Sequence, residues 1–334
     1  MTLVIVLIIV ALVFDFINGW HDSANSIATV VGTKTLTPFQ AVFLAAFGNF
    51  IAVAFFELHV SKTIAKGLVD PAVVDLWVIF AALIGAIGWD IITWYYGIPS
   101  SSSHALMGGL AGAALMKAGV AAILIGGLFR PVLFIILAPL IGMILGIAVM
   151  AGIAWLIYFL EPRLHQSALH AAGRRIQILT SLAYSIGHGG NDAQKTMGII
   201  TLALVAANIQ THYEPPMWVI LSCQSAIALG TLAGGWRIVK TMGTKLCDLK
   251  VPAGISAELG GAVTLYGASM FGIPVSTTHT ITGAILGSGS VWYRRLSAVS
   301  WGIVPRIVGA WILTIPAAAA IAAAVYAVTR GLAS

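Results

Sequence analysis

The sequence predicts an all-α integral membrane protein of about 10–12 membrane segments, some broken or re-entrant, built as an inverted-topology internal repeat. Three observations carry that expectation. First, 59% of the 334 residues are hydrophobic and 8% are charged, with a mean hydropathy of +0.99; soluble domains carry about 25% charged residues. Second, a polar motif occurs twice inside apolar sequence. It reads Asn18-Gly19-Trp20-His21-Asp22-Ser23-Ala24-Asn25, then His188-Gly189-Gly190-Asn191-Asp192-Ala193-Gln194-Lys195, with Asp22 and Asp192 separated by 170 residues. Third, Gly97-Ile98-Pro99-Ser100-Ser101-Ser102-Ser103-His104 is echoed 175 residues later by Gly272-Ile273-Pro274-Val275-Ser276-Thr277-Thr278-His279. Motifs duplicated in the same order read as an internal repeat. Polar interruptions at corresponding positions of two membrane halves point to a site near the bilayer midplane.

The elements follow in order. Residues 2–17 are apolar apart from Asp15; they lack the basic start of a secretory signal and read as a first span. A break is expected at 18–22, then a second piece to Val31. Pro38 opens a span over 39–57. The connection 58–71 holds His59, Lys62, Lys66 and Asp70. A span over 72–94 runs into Trp94-Tyr95-Tyr96, residue types that suit a membrane interface, and Gly97-Ile98-Pro99 stops it. A small-residue helix covers 104–116. The longest apolar run, 131–160, contains Gly142 and Gly146 in a GxxxG pattern, which suits close helix contact or dimerisation. The polar stretch 161–176, with Glu161, Arg163, Arg174 and Arg175, divides a first repeat (1–160) from a second (177–334). The second half reads as spans over 177–208, 216–236, 254–271, 280–292 and 299–329.

Loop charge sets orientation. Residues 237–250 carry Arg237, Lys240, Lys245 and Lys250, whereas 208–216 carries Glu214 and no Lys or Arg. The basic connections, 161–176 included, are expected in the cytoplasm and 208–216 outside. Inversion then places the amino terminus and 58–71 outside, against the two lysines of the latter. The net charge of +6 is accounted for by such connections and calls for no nucleic acid. Cys223 and Cys247 form no disulfide framework.

Charged groups at a helix centre cost about 2.5–3.5 kcal/mol on insertion scales and are functional candidates by default. Asp22 has Asn25 three residues on, so one helix face offers a carboxylate and an amide oxygen, hard ligands for a small cation. Asp192 has Lys195 at the same spacing, which a buried ion pair would also explain. Ser101, Ser102 and Ser103, like Ser276, Thr277 and Thr278, directly precede helices. Hydroxyls at a helix start suit an oxyanion; capping would explain one such cluster, but two favour a site. His104 and His279 are read as structural hydrogen-bonding groups before proton carriers. Gln224 and Asn49, 175 residues apart, either reach the site or bond between helices. Asp15, Glu57, Asp90 and Glu258 are further embedded acids and secondary proton-relay candidates.

The four motifs resemble those of the inorganic phosphate transporter family. Its pattern pairs a Gly-Ala-Asn-Asp-x-x-Asn-like motif with a Pro-x-Ser-Ser/Thr-Thr-His-like motif in each half. The resemblance implies an inverted-repeat transporter, often a homodimer, that moves phosphate with a cation across a plasma membrane, here a bacterial inner membrane. It implies that Asp22, Asn25, Asp192, Ser101–Ser103, Ser276–Thr278 and Gln224 surround substrate and ions. His21 stands where many relatives have Asn, and Lys195 where sodium-coupled relatives have Asn. The run Asn191–Lys195 looks like that of bacterial low-affinity members regarded as proton-coupled, which take up phosphate with a divalent metal. On that basis Asp22, Asn25, Asp192 and Lys195 are expected to serve cation or proton coupling, and Asp22 and Asp192 to touch the metal of a metal–phosphate substrate. No resident cofactor is expected. Sulfate transport and sodium coupling are the alternatives. An intramembrane phosphatase fits less well, because no arginine in either motif clamps a phosphate and two-fold duplication suits alternating access.

Overall fold

In lipid, backbone polar groups must be satisfied within the chain, so spanning segments of this composition become helices. The computed structural model describes residues 1–67, 69–162 and 165–333. Arg163 and the side chain of Lys66 lie outside the described residues. Among these residues the chain forms α1 (Thr2–Gly32), α2 (Pro38–Ile51), α3 (His59–Gly67), α4 (Leu76–Tyr96), α5 (Ser102–Ala118), α6 (Ile125–Leu160), α7 (Gln166–Ala206), α8 (Met217–Ala233), α9 (Trp236–Lys240), α10 (Val251–Met270), α11 (Thr277–Trp292) and α12 (Val304–Ala333). By length and composition α1, α4, α6 and α12 can each cross a membrane, and two bent pairs can as well: α2 with α3 at 84°, and α8 with α9 and the turn after it at 60°.

The expected breaks at the aspartate motifs are not there. α1 runs unbroken through Asn18–Asp22, and α7 runs 41 residues through His188–Lys195. The glycines in these motifs serve close approach instead. A Cβ on Gly19 would lie 2.1 Å from the Ile227 carbonyl oxygen of α8, and one on Gly189 would lie 2.6 Å from the Asn49 Cα of α2. The polar stretch 161–176 is also mostly helix, since α7 starts at Gln166, and the connection 58–71 contains α3.

The breaks at the two Gly-Ile-Pro motifs are present. Gly97 (φ 63°) ends α4 and Gly272 (φ 64°) follows α10, both in the left-handed region that favours glycine. Proline two residues later prevents the helix from resuming at once. α4–α5 and α10–α11 are thus helical hairpins with the motifs at their tips. The GxxxG pattern closes contacts inside the chain. A Cβ on Gly142 or Gly146 would lie 2.3 Å or 2.6 Å from the carbonyl oxygens of Thr280 and Ala284 on α11.

Contacts assign the connections to two faces. On one, Gly32 abuts the Gly243 backbone, Thr33 and Thr35 donate to Gln177 Oε1 at 2.9 and 2.5 Å, and Cys247 bridges to Val299. This face carries Lys34, Arg174, Arg175, Lys245, Lys250, Arg294 and Arg295. On the other, Lys62 pairs with Glu214 at 2.9 Å and Lys117 with Asp75 at 2.7 Å. Lys62 of 58–71 is matched by Glu214 of 208–216, so these two connections share one face.

Candidate functional site

α1 and α7 lie antiparallel. Asp15 accepts from Thr196 Oγ1 at 2.9 Å near one end of their seam, and Thr33 meets Gln177 near the other. Between these points the two aspartate motifs face each other. Asp22, Asp192 and His188 each offer one ligand atom within 4.8 Å of the others, and all are buried. His188 stands one turn before Asp192, so helical spacing alone puts both on one face. Its Nε2 points at Asp192 Oδ2 from 3.4 Å, and its Nδ1 lies 3.0 Å from Asn49 Oδ1. Asn49 therefore orients a histidine from α2, while its Nδ2 donates to Thr231 of α8.

The hairpin tips close over this centre. Asn25 Nδ2 donates to Thr278 Oγ1 at 2.9 Å and Thr277 Oγ1 at 3.2 Å. Thr277 in turn donates to Asp192 Oδ2 at 3.2 Å, and Thr278 to Asp22 Oδ1 at 3.4 Å. Lys195 Nζ donates to Asp192 Oδ1 at 2.5 Å, to the Val275 carbonyl at 2.9 Å and to Ser103 Oγ. One ammonium thus ties α7 to the tips of both hairpins. Tyr184 donates to the Thr277 carbonyl at 3.1 Å and steadies the second tip.

The hydroxyl clusters divide their labour. Ser101 and Ser276 are the helix caps: each side chain accepts from the backbone N–H of the histidine three residues on, at 3.2 Å. Ser103, Thr277 and Thr278 turn into the polar network, and Ser102 is buried with its hydroxyl unbonded. A buried polar atom without a partner calls for an explanation; Ser102 Oγ and Asn25 Oδ1 are two such atoms at this site.

His21 was read in the sequence only as a departure from the family pattern. It lies with Nδ1 2.7 Å from Asp22 Oδ1 and Nε2 3.0 Å from Thr93 Oγ1, with Ser100 Oγ at 3.4 Å. His104 and His279 meet across the two hairpins at 5.0 Å between ring centres, and His279 stacks on Trp311 of α12 at 3.9 Å. No described hydrogen bond joins either ring to a capping serine.

Gln224 is buried on α8, and no described hydrogen bond joins it to this cluster. Among the further acids, Glu57 is exposed and paired with His59 at 2.8 Å, so it is not embedded as expected. Glu258 accepts from Thr29 at 2.6 Å, from Gln177 at 3.3 Å and from Thr180. Asp90 is buried with both oxygens unbonded.

The arrangement offers hydroxyls and two helix starts to an oxyanion, and two carboxylates and an imidazole to a cation. It is enclosed: Ser103, at 3%, is the most exposed of the aspartates, hydroxyls and lysine named in it.

Comparison with known proteins agrees with this chemistry. Residues 18–322 match the family model described as the phosphate transporter family. The chain is 53% identical to the "Probable low-affinity inorganic phosphate transporter" of Rhizobium meliloti (strain 1021), over 97% of this chain and 96% of that one. It is 46% identical, at the same coverage, to the protein of that name from Bacillus subtilis (strain 168). Among solved structures it superposes with a TM-score of 0.87 on one titled "The sodium-dependent phosphate transporter", at 28% identity over 99% of each chain.

Proposed function

The chain belongs to the phosphate transporter family, and from that premise we propose that it imports inorganic phosphate across a bacterial inner membrane with protons as the coupling ion. It is an integral membrane transporter, not an enzyme. The observation that carries proton over sodium coupling is the setting of Lys195. Its ammonium takes a carboxylate, a hydroxyl and a backbone carbonyl as partners, the hard oxygen ligands a sodium ion would need. A tethered cation and a mobile one do not share one small site. The sodium-dependent neighbour shares the architecture, but its sodium dependence belongs to that protein.

The substrate would lie where the two hairpin tips face Asp22 and Asp192. Ser102, Ser103, Thr277 and Thr278 would donate to its oxygens. Carboxylates beside an anion site favour an anion that still bears a proton. Hydrogen phosphate can donate to Asp22 or Asp192, whereas sulfate at neutral pH has no proton to give, and an unpaired buried acceptor is costly. Asp22, His188 and Asp192 through Oδ2, the oxygen that Lys195 does not hold, would hold a divalent metal travelling with the phosphate, as a neutral complex that crosses the low-dielectric centre more cheaply than the dianion. The face rich in Lys and Arg would be cytoplasmic and the amino terminus external.

Radiolabelled phosphate uptake into proteoliposomes tests the reading. Accumulation should follow an inward proton gradient and change little with an inward sodium gradient at equal pH and clamped potential. Lys195→Asn should weaken proton-driven uptake. Sodium-driven accumulation by the unmutated protein would overturn proton coupling, and stronger uptake of sulfate than phosphate would overturn the substrate.

A further inference from the structure

Asp15 takes no part in the site described above, yet it is fully buried at membrane depth on α1, seven residues before Asp22. That is about 10 Å along the helix. Its Oδ1 accepts from Thr196 Oγ1 at 2.9 Å, and its Oδ2 meets no donor at full hydrogen-bonding geometry, with the Asn18 amide and the Cys223 thiol lying beside the carboxylate. No described cation pairs with it; the seven described ion pairs all lie elsewhere. One turn along the same helix, Asn18 Oδ1 is also buried without a donor. Two acceptor oxygens on one helix face therefore share one deficit, and a proton on Asp15 supplies the missing donor. An ionised carboxylate so placed, with only neutral side chains donating to it, would carry a large cost of burying a charge.

The other acids differ. Glu258 accepts from three side chains, Asp192 is neutralised by Lys195, and Asp90, within the first hairpin, faces His21 and Ser102. The titratable and charged groups that face Asp15 are Asp192 and Lys195 from α7 and the Cys223 thiol from α8; Asn18 faces it from its own helix. Its hydrogen-bond partner Thr196 directly follows Lys195, the residue that ties α7 to both hairpin tips. A shift of α7 that opens the tips would therefore also change what Asp15 contacts.

We propose that Asp15 is the proton-carrying residue of the transport cycle: it is protonated while the site is closed and gives its proton to water after phosphate has left. The proposal rests on the proton-coupled reading of the site. It assigns the proton to Asp15 Oδ2, outside the Asp22–Asp192 centre. The empty carrier would have to lose that proton before returning, whereas the loaded carrier could cross in either direction with it.

Asp15→Asn mimics the permanently protonated state and separates the two steps. In proteoliposomes it should keep exchange of internal for external phosphate within about twofold of the unmutated protein, because exchange needs no deprotonation. It should cut accumulation driven by a proton gradient about tenfold or more, as neutralising an embedded relay group does. Asp15→Glu should restore accumulation with a displaced pH profile. Unchanged proton-driven accumulation in Asp15→Asn would overturn the assignment. So would loss of exchange together with accumulation in protein that inserts normally, since Asp15 would then serve the fold or the binding site. Failure of the unmutated protein to respond to a proton gradient would remove the proton-coupled reading, and with it the role of Asp15.

Discussion

Asp22→Asn keeps the shape of the side chain but removes the charge that His21 and Thr278 address. Phosphate accumulation should fall about tenfold or more, while the protein inserts at least as well, because a neutral side chain relieves an insertion cost of about 2.5–3.5 kcal/mol. Uptake assays normalised to membrane-extracted protein would check both halves. The residue scale is also where the sequence was most legible. The Asp22–Asn25 and Asp192–Lys195 pairs follow from helical spacing, and the structure brings Thr277 and Thr278 against them. His188 was legible by the same rule, one turn from Asp192, but was passed over because it was read as part of a break. Ser101 and Ser276 went the other way: capping and ligand-binding serines have the same sequence signature, and only the direction of the side chain separates them. The other partners of Lys195 could not have been read, because Ser103 and Val275 are far away in sequence and reach it only through tertiary packing.

The helices explain the largest misreading. Glycine and asparagine in an apolar run suggest a break, yet α1 and α7 run on unbroken through theirs, and neighbouring backbones fill the space a side chain would need. The same logic applies to Gly146, where α6 crosses α11. Gly146→Leu would force overpacking at about 1–3 kcal/mol. A lower thermal midpoint in detergent is expected with no change in oligomeric state, because this pattern faces inward; altered oligomerisation would show that it serves an interface between chains. The real breaks were foreseeable, since glycine followed two residues later by proline leaves a helix little alternative. Element ends were less so: α3 and the start of α7 were taken for connections because their charged residues hid an amphipathic face.

At the scale of the whole molecule, the two hairpins are not held alike. α4 and α5 pack on α12, whereas α10 and α11 pack on α6. α6 has 36 residues and is about 54 Å long at 1.5 Å per residue. A hydrocarbon core is about 30 Å thick, so α6 must tilt, project into the headgroups, or both. Its tilt responds to the surrounding lipid, and it is clamped along Gly142 and Gly146 to the helix that presents Thr277 and Thr278. Acyl-chain length should therefore act as a mechanical control. In vesicles made from a series of lipids of increasing chain length, the turnover rate should pass through an optimum while phosphate affinity stays nearly constant. A flat rate across the series would show that the second hairpin is insulated from the bilayer that α6 spans.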